Sequence, residues 1–116
     1  MMAIQNATMQ QYNFLTEMYK DSYFPDHLVK KIEDTLRHLC EQIEKQQPKD
    51  MKALCVLTHA AVEVINNIQE EFWEAESELE TAARECICGD FVFILKNYGF
   101  DLDEDQYEEA IENRDW

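Results

Sequence analysis

The sequence predicts an all-α protein: an up-down antiparallel helical bundle of about four main helices plus a short C-terminal helix. Three observations carry this expectation. Only two Gly and two Pro occur in 116 residues, which removes most of the punctuation that hairpins and multistranded sheets need. Apolar residues recur every three or four positions over long stretches, the spacing of one face of a helix. The breaks between those stretches are short, and short connections favour antiparallel neighbours. At this length one domain spanning 1–116 is expected, large enough to bury a core without staples. Residues 1–9 show no periodicity and are expected to fray.

A first helix is predicted over Gln10–Tyr19, where Phe14, Leu15 and Met18 share a face. Pro25 turns Phe24 away from helix and sits well in the first turn of the next one. That second helix, Asp26–Gln46, carries Leu28, Ile32, Leu36, Leu39 and Ile43 in one stripe, with its charges away from the centre. The segment "QQPKD" breaks it, and Asp50 can cap a third helix over Met51–Glu74. Its main face runs from Leu54 to Phe72, while Cys55, Val62 and Trp73 make a weaker second stripe that calls for neighbours on two sides.

Ser77 and Glu80 fit a capping box for a fourth helix, Glu78–Tyr98. Gly99 followed by Phe100 fits a left-handed cap at its other end. A rival reading makes "CICGDFVFIL" a hairpin turning on Gly89 and Asp90. It is rejected because the two caps agree and a lone hairpin would leave open edges. Asp103 and Gln106 can cap a last short helix, Glu104–Asn113, docked by Tyr107 and Ile111.

Net charge is −15 and unevenly placed. Residues 69–80, "QEEFWEAESELE", hold six Glu and no base, and residues 100–116 hold eight acids against Arg114. These two segments contain thirteen of the fifteen charges. Such a field repels nucleic-acid phosphates and anionic lipid and attracts basic partners. Glu70, Glu71, Trp73, Glu74, Tyr107, Glu108 and Trp116 are therefore the candidate interaction residues, aromatic anchors among like charges suiting a protein interface. Neither nucleic acid nor membrane is expected as a partner.

Chemistry has fewer footholds. "DLDEDQYEEAIE", Asp101–Glu112, puts carboxylates at the first, third, fifth, ninth and twelfth positions of a calcium loop. Gln106 stands where that loop needs Gly, so Asp101, Asp103, Asp105 and Glu112 read first as linker and helix start, and as calcium ligands only second. Asp90 falls on the apolar face with Leu79, Ala83, Ile87 and Ile94. A carboxylate there needs hydrogen bonds from a Tyr, Thr or His of another helix, or else serves as a general base of raised pKa. His59 and Glu63, four apart on the third helix, are its candidate companions in an acid–base or metal-dependent enzyme. Di-iron spacing is absent, no nucleophile elbow or phosphate loop occurs, and no cofactor is expected. The four cysteines lack zinc spacing, and with no charged leader or apolar span they imply a cytoplasmic protein with reduced thiols.

The phrases "MYKDSYFPD", "LCEQIEKQQPKD", "LTHAAVEVINNIQEEF", "ARECICGDF", "NYGF" and "RDW" resemble an uncharacterised bacterial family of small acidic proteins, a domain of unknown function. The resemblance spans residues 15–116 and implies a bacterial cytoplasmic protein, with no activity or site residues to carry over. The expectation is a non-enzymatic binding protein with a basic partner, in one form an immunity- or antitoxin-like inhibitor. The alternatives are the enzyme centred on Asp90 and a homodimer through the second stripe of the third helix.

Overall fold

The structure, a computed structural model, describes residues 4–116. Six helices follow one another: α1 (Ala7–Gln11), α2 (Thr16–Lys20), α3 (Asp26–Gln46), α4 (Met51–Glu74), α5 (Thr81–Asn97) and α6 (Glu104–Ala110). No strand occurs among the described residues, so the protein is all-α. None of the helices is long and apolar enough to cross a membrane. The molecule measures 40 × 28 × 22 Å.

The two longest helices keep the bounds their sequence implies. The α3 stripe of Leu28, Ile32, Leu36, Leu39 and Ile43 is buried along its length. Asp50 caps α4, its side chain accepting the Ala53 N–H at 2.8 Å. The Lys31 ammonium, near the start of α3, reaches the Glu71 carboxylate near the end of α4, so these two helices form an antiparallel hairpin. Leu54, Val62, Ile65 and Phe72 of α4 complete a core shared with Ile87, Phe91, Ile94 and Leu95 of α5. Each such side chain, taken from water, is worth about 1.5–3 kcal/mol.

The helix α5 runs unbroken through Gly89 and Asp90, which removes the hairpin alternative. Gly99 takes φ 86° and the Phe100 N–H reaches the Leu95 carbonyl at 2.9 Å, closing the helix as a left-handed cap does. Its start differs from expectation. Ser77 does not cap it; the buried Ser77 hydroxyl donates to the Tyr23 carbonyl at 2.8 Å, and the helix begins later, after Glu80. A tertiary contact to the turn before α3 has taken the hydroxyl that a local cap would use. At α6 the Asp103–Gln106 capping box forms in both directions.

The single N-terminal helix expected over Gln10–Tyr19 is two short ones. The chain leaves helix at Tyr12 and re-enters after Leu15, whose φ of 54° is left-handed. Residues 1–3 of the segment expected to fray lie outside the described residues. Ile4 and Met9 are buried. The Glu44 carboxylate holds this segment onto α3, accepting the N–H groups of Gln5 at 2.7 Å and Asn6 at 3.0 Å and the Tyr98 hydroxyl.

Candidate functional site

The end of α4 breaks a local rule. A helix C-terminus carries a partial negative charge and favours bases in its last turn; α4 has none there and presents Glu70, Glu71 and Glu74 instead. The chain then turns through Glu76 in the left-handed region, φ 61°, with the Ser77 N–H on the Phe72 carbonyl at 2.8 Å. Glu78 and Glu80 follow on the exposed side of the linker. Among the described residues, the Glu71–Lys31 pair is the one ion pair these six glutamates make. In their midst Trp73 is 53% exposed, although burying an indole is among the larger apolar gains available to a fold.

The second acidic segment is docked beside the first. The Asn66 side chain, on α4, donates to the Asn113 carbonyl at 3.0 Å and accepts the Asp115 N–H at 2.9 Å. Farther along α4, the Gln69 amide approaches the Asp115 carboxylate at 3.4 Å. At the other end, His59 Nε2 lies 2.8 Å from the Glu109 carbonyl. Because a carbonyl can only accept, that nitrogen carries the ring proton. The tail therefore runs alongside α4 and ends next to Glu70, so the two acidic segments form one surface. On α6 it includes a cleft of about 510 Å³ lined by Asp105, Glu108, Glu109, Ile111, Glu112 and Arg114. Arg114 lies 3.9 Å from Glu108, among the described residues the one ion pair that positions 101–116 make. Asn66, Gln69 and Asn113 escape a reading of the sequence, since nothing local marks polar residues whose partners lie some fifty positions away.

The expected aromatic edge divides. Trp73 is at the surface, whereas Trp116 is 6% exposed and part of the core, with the Arg114 guanidinium 5.9 Å from its ring. Tyr107 is half-buried against that core. Trp116 thus fastens the acidic tail, and Tyr107 leans on the same core with part of its ring exposed.

Asp90 is 6% exposed. One oxygen accepts the Tyr12 hydroxyl at 2.6 Å and the other the Leu15 N–H at 2.8 Å. Burial pushes its carboxyl above the ordinary aspartate value, with the Tyr12 and Leu15 bonds opposing. Burial, and then the Asp90 carboxylate, push the Tyr12 phenol up as well. Both oxygens are thus committed to the α1–α2 break. His59 and Glu63 belong to the opposite business, the docking of the tail: the Asn113 amide donates to the His59 carbonyl at 3.0 Å and lies 3.3 Å from Glu63 Oε2. Among the described residues Asp90 has no hydrogen-bond partner in common with them. Asp103 spends its side chain on capping α6, and among the described residues no group of three His, Cys, Asp or Glu side chains is placed to hold a metal ion.

The family model described as "Family of unknown function (DUF5713)" matches residues 8–116. No curated protein and no solved structure matches the chain.

Proposed function

Since the chain belongs to DUF5713, a family of unknown function, we propose a role from its surface: a non-enzymatic binding module that takes a basic protein partner on the acidic face around Trp73. One observation carries the reading. A half-exposed tryptophan stands among glutamates at the helix end least suited to them. Departures from local preference that cost stability concentrate where function needs them. The indole supplies apolar contact area at small entropic cost, and the surrounding carboxylates steer a cationic surface toward it. An inhibitor that covers a basic active site, as an immunity protein or antitoxin does, is the concrete form this takes. The four free thiols suit a reducing compartment such as the cytoplasm.

The test is affinity capture from the host at low salt, followed by titration of the recovered complex. A basic protein is expected, released as salt rises from about 0.05 to 0.3 M because exposed charges are then screened, and no longer retained by Trp73→Ala. Recovery of nothing, or of a partner indifferent to both salt and Trp73→Ala, overturns the proposal.

A further inference from the structure

A second surface lies on the α3–α4 hairpin. Thr35, His38 and Gln42 of α3 and Val56, Leu57 and Val64 of α4 line a groove of about 460 Å³. Val56 is 66% exposed and Val64 46%, and both line the groove with Ala60 between them. A helix face of this kind, apolar at one-turn intervals, ordinarily packs against another helix.

The arrangement of residues names the occupant. Val56 and Val64 each stand four positions from Ala60, so the stripe reads the same in both directions. The charges at its ends do not: Lys49 and Lys52 flank the start of α4, and Glu71, on the same face as Ala60, stands near its end. A surface with a palindromic apolar centre and opposite charges at its two ends is complementary to itself turned end for end. That is the requirement of a two-fold interface, in which each patch meets its own copy.

We propose that the protein forms a homodimer through this face, two α4 helices crossing antiparallel with the symmetry axis at Ala60. Val56 of each protomer then covers Val64 of its partner, and Ala60, with only a methyl group, lets the two backbones approach. The lysines at the start of one α4 lie beside Glu71 of the other. The nearly neutral part of the chain is brought together, and Trp73 remains free. The inference does not depend on the proposed basic partner.

Sedimentation equilibrium of the full chain tests it, in about 0.15 M salt to screen the like net charges and at concentrations to about 100 μM. The expected mass is twice the 13.8 kDa of one chain. Ala60→Glu, which sets two like charges against each other on the axis, weakens dimerisation by about 100-fold or more; the site is exposed, so helix content and melting stay as in the parent. Ala60→Cys, on the axis, yields a disulfide-linked dimer on mild oxidation where the parent does not. Trp73→Ala leaves the mass at twice the chain's. A 13.8 kDa species throughout, or a dimer that Ala60→Glu leaves intact, overturns the proposal.

Discussion

The carboxylate of Asp90, midway along α5, accepts the main-chain N–H of Leu15 at 2.8 Å, and Leu15 is both wholly buried and left-handed, φ 54°. A branched side chain in that region costs about 1–2 kcal/mol. The carboxylate satisfies an amide that the break between α1 and α2 would otherwise bury unpaired, while the Leu15 side chain fills the core. Its second oxygen takes the Tyr12 hydroxyl, and the Tyr12 ring stacks on Phe93 with centroids 4.3 Å apart. A buried acid in an apolar face is thus the fastening for a turn seventy-five residues earlier.

Removing that fastening exposes its size. Asp90→Ala leaves the Leu15 amide and the Tyr12 hydroxyl without partners and is expected to cost about 3 kcal/mol, lowering Tm by about 10 °C or more. Asp90→Asn costs about 1 kcal/mol, because the amide oxygen can still accept from Leu15 while its NH2 group donates to the Tyr12 oxygen. The difference between Asn and parent depends on pH. The folded-state pKa of Asp90 is raised, so its contribution is full below the unfolded value of about 3.8 and declines as pH climbs through the folded value. Melting curves of Asp90→Asn should therefore approach the parent's as pH rises from about 4 to 7. A gap that widens over that range contradicts the assignment.

Glu44 titrates in the opposite sense. Burial pushes its carboxyl up, but the Tyr98 hydroxyl and the N–H groups of Gln5 and Asn6 outweigh this and hold it below the ordinary glutamate value. Its stabilisation is present at neutral pH and is lost as pH falls through the folded value. Glu44→Gln is expected to destabilise by about 1–2 kcal/mol at pH 7 and by progressively less on acidification. Hydrogen exchange at the amides of Gln5 and Asn6 should quicken on acidification relative to that of α4 amides, after correction for the intrinsic pH dependence. Equal protection at both pH extremes would remove Glu44 from this role.

Glu76 occupies the left-handed position that ends α4, φ 61°, and it is exposed. Glycine is the residue for such a position because it lacks the Cβ that crowds the carbonyl. Glu76→Gly should stabilise the protein by about 1 kcal/mol, measured by chemical denaturation, with the slope against denaturant unchanged.

How far the sequence foretells all this depends on the range of the interactions involved. The bounds of α3 and α4, the Gly99 cap and the Asp103–Gln106 box follow from neighbours within a few residues, and there local chemistry suffices. Asp90 could be recognised as anomalous from its place on the apolar face of α5, yet its partners at Tyr12 and Leu15 could not. For the same reason the first helix reads as continuous in sequence and is broken in fact: Phe14, Leu15 and Met18 keep helical spacing, and a carboxylate from another helix decides otherwise. Ser77 shows the converse, a good local cap diverted to Tyr23. Trp73 and Trp116 have similar acidic surroundings in sequence, and only the packing of the tail against α4 separates the exposed ring from the buried one.

That separation leads to a last prediction, which sets stability against binding. Glu70 and Glu74 lie four residues apart on one face of α4 and within its last turns, so they repel each other and the helix dipole. Glu70→Gln with Glu74→Gln should raise Tm by about 2–4 °C, and the gain should shrink in high salt as screening removes the repulsion it relieves. The same double variant should bind a basic partner more slowly and more weakly, since it removes two of the charges that surround Trp73. Loss of stability on neutralisation would mean that these glutamates have structural partners. Gain in stability without loss of binding would leave the acidic end of α4 without the purpose proposed for it. Both effects together are what a surface kept for a partner, at the expense of the fold, must show.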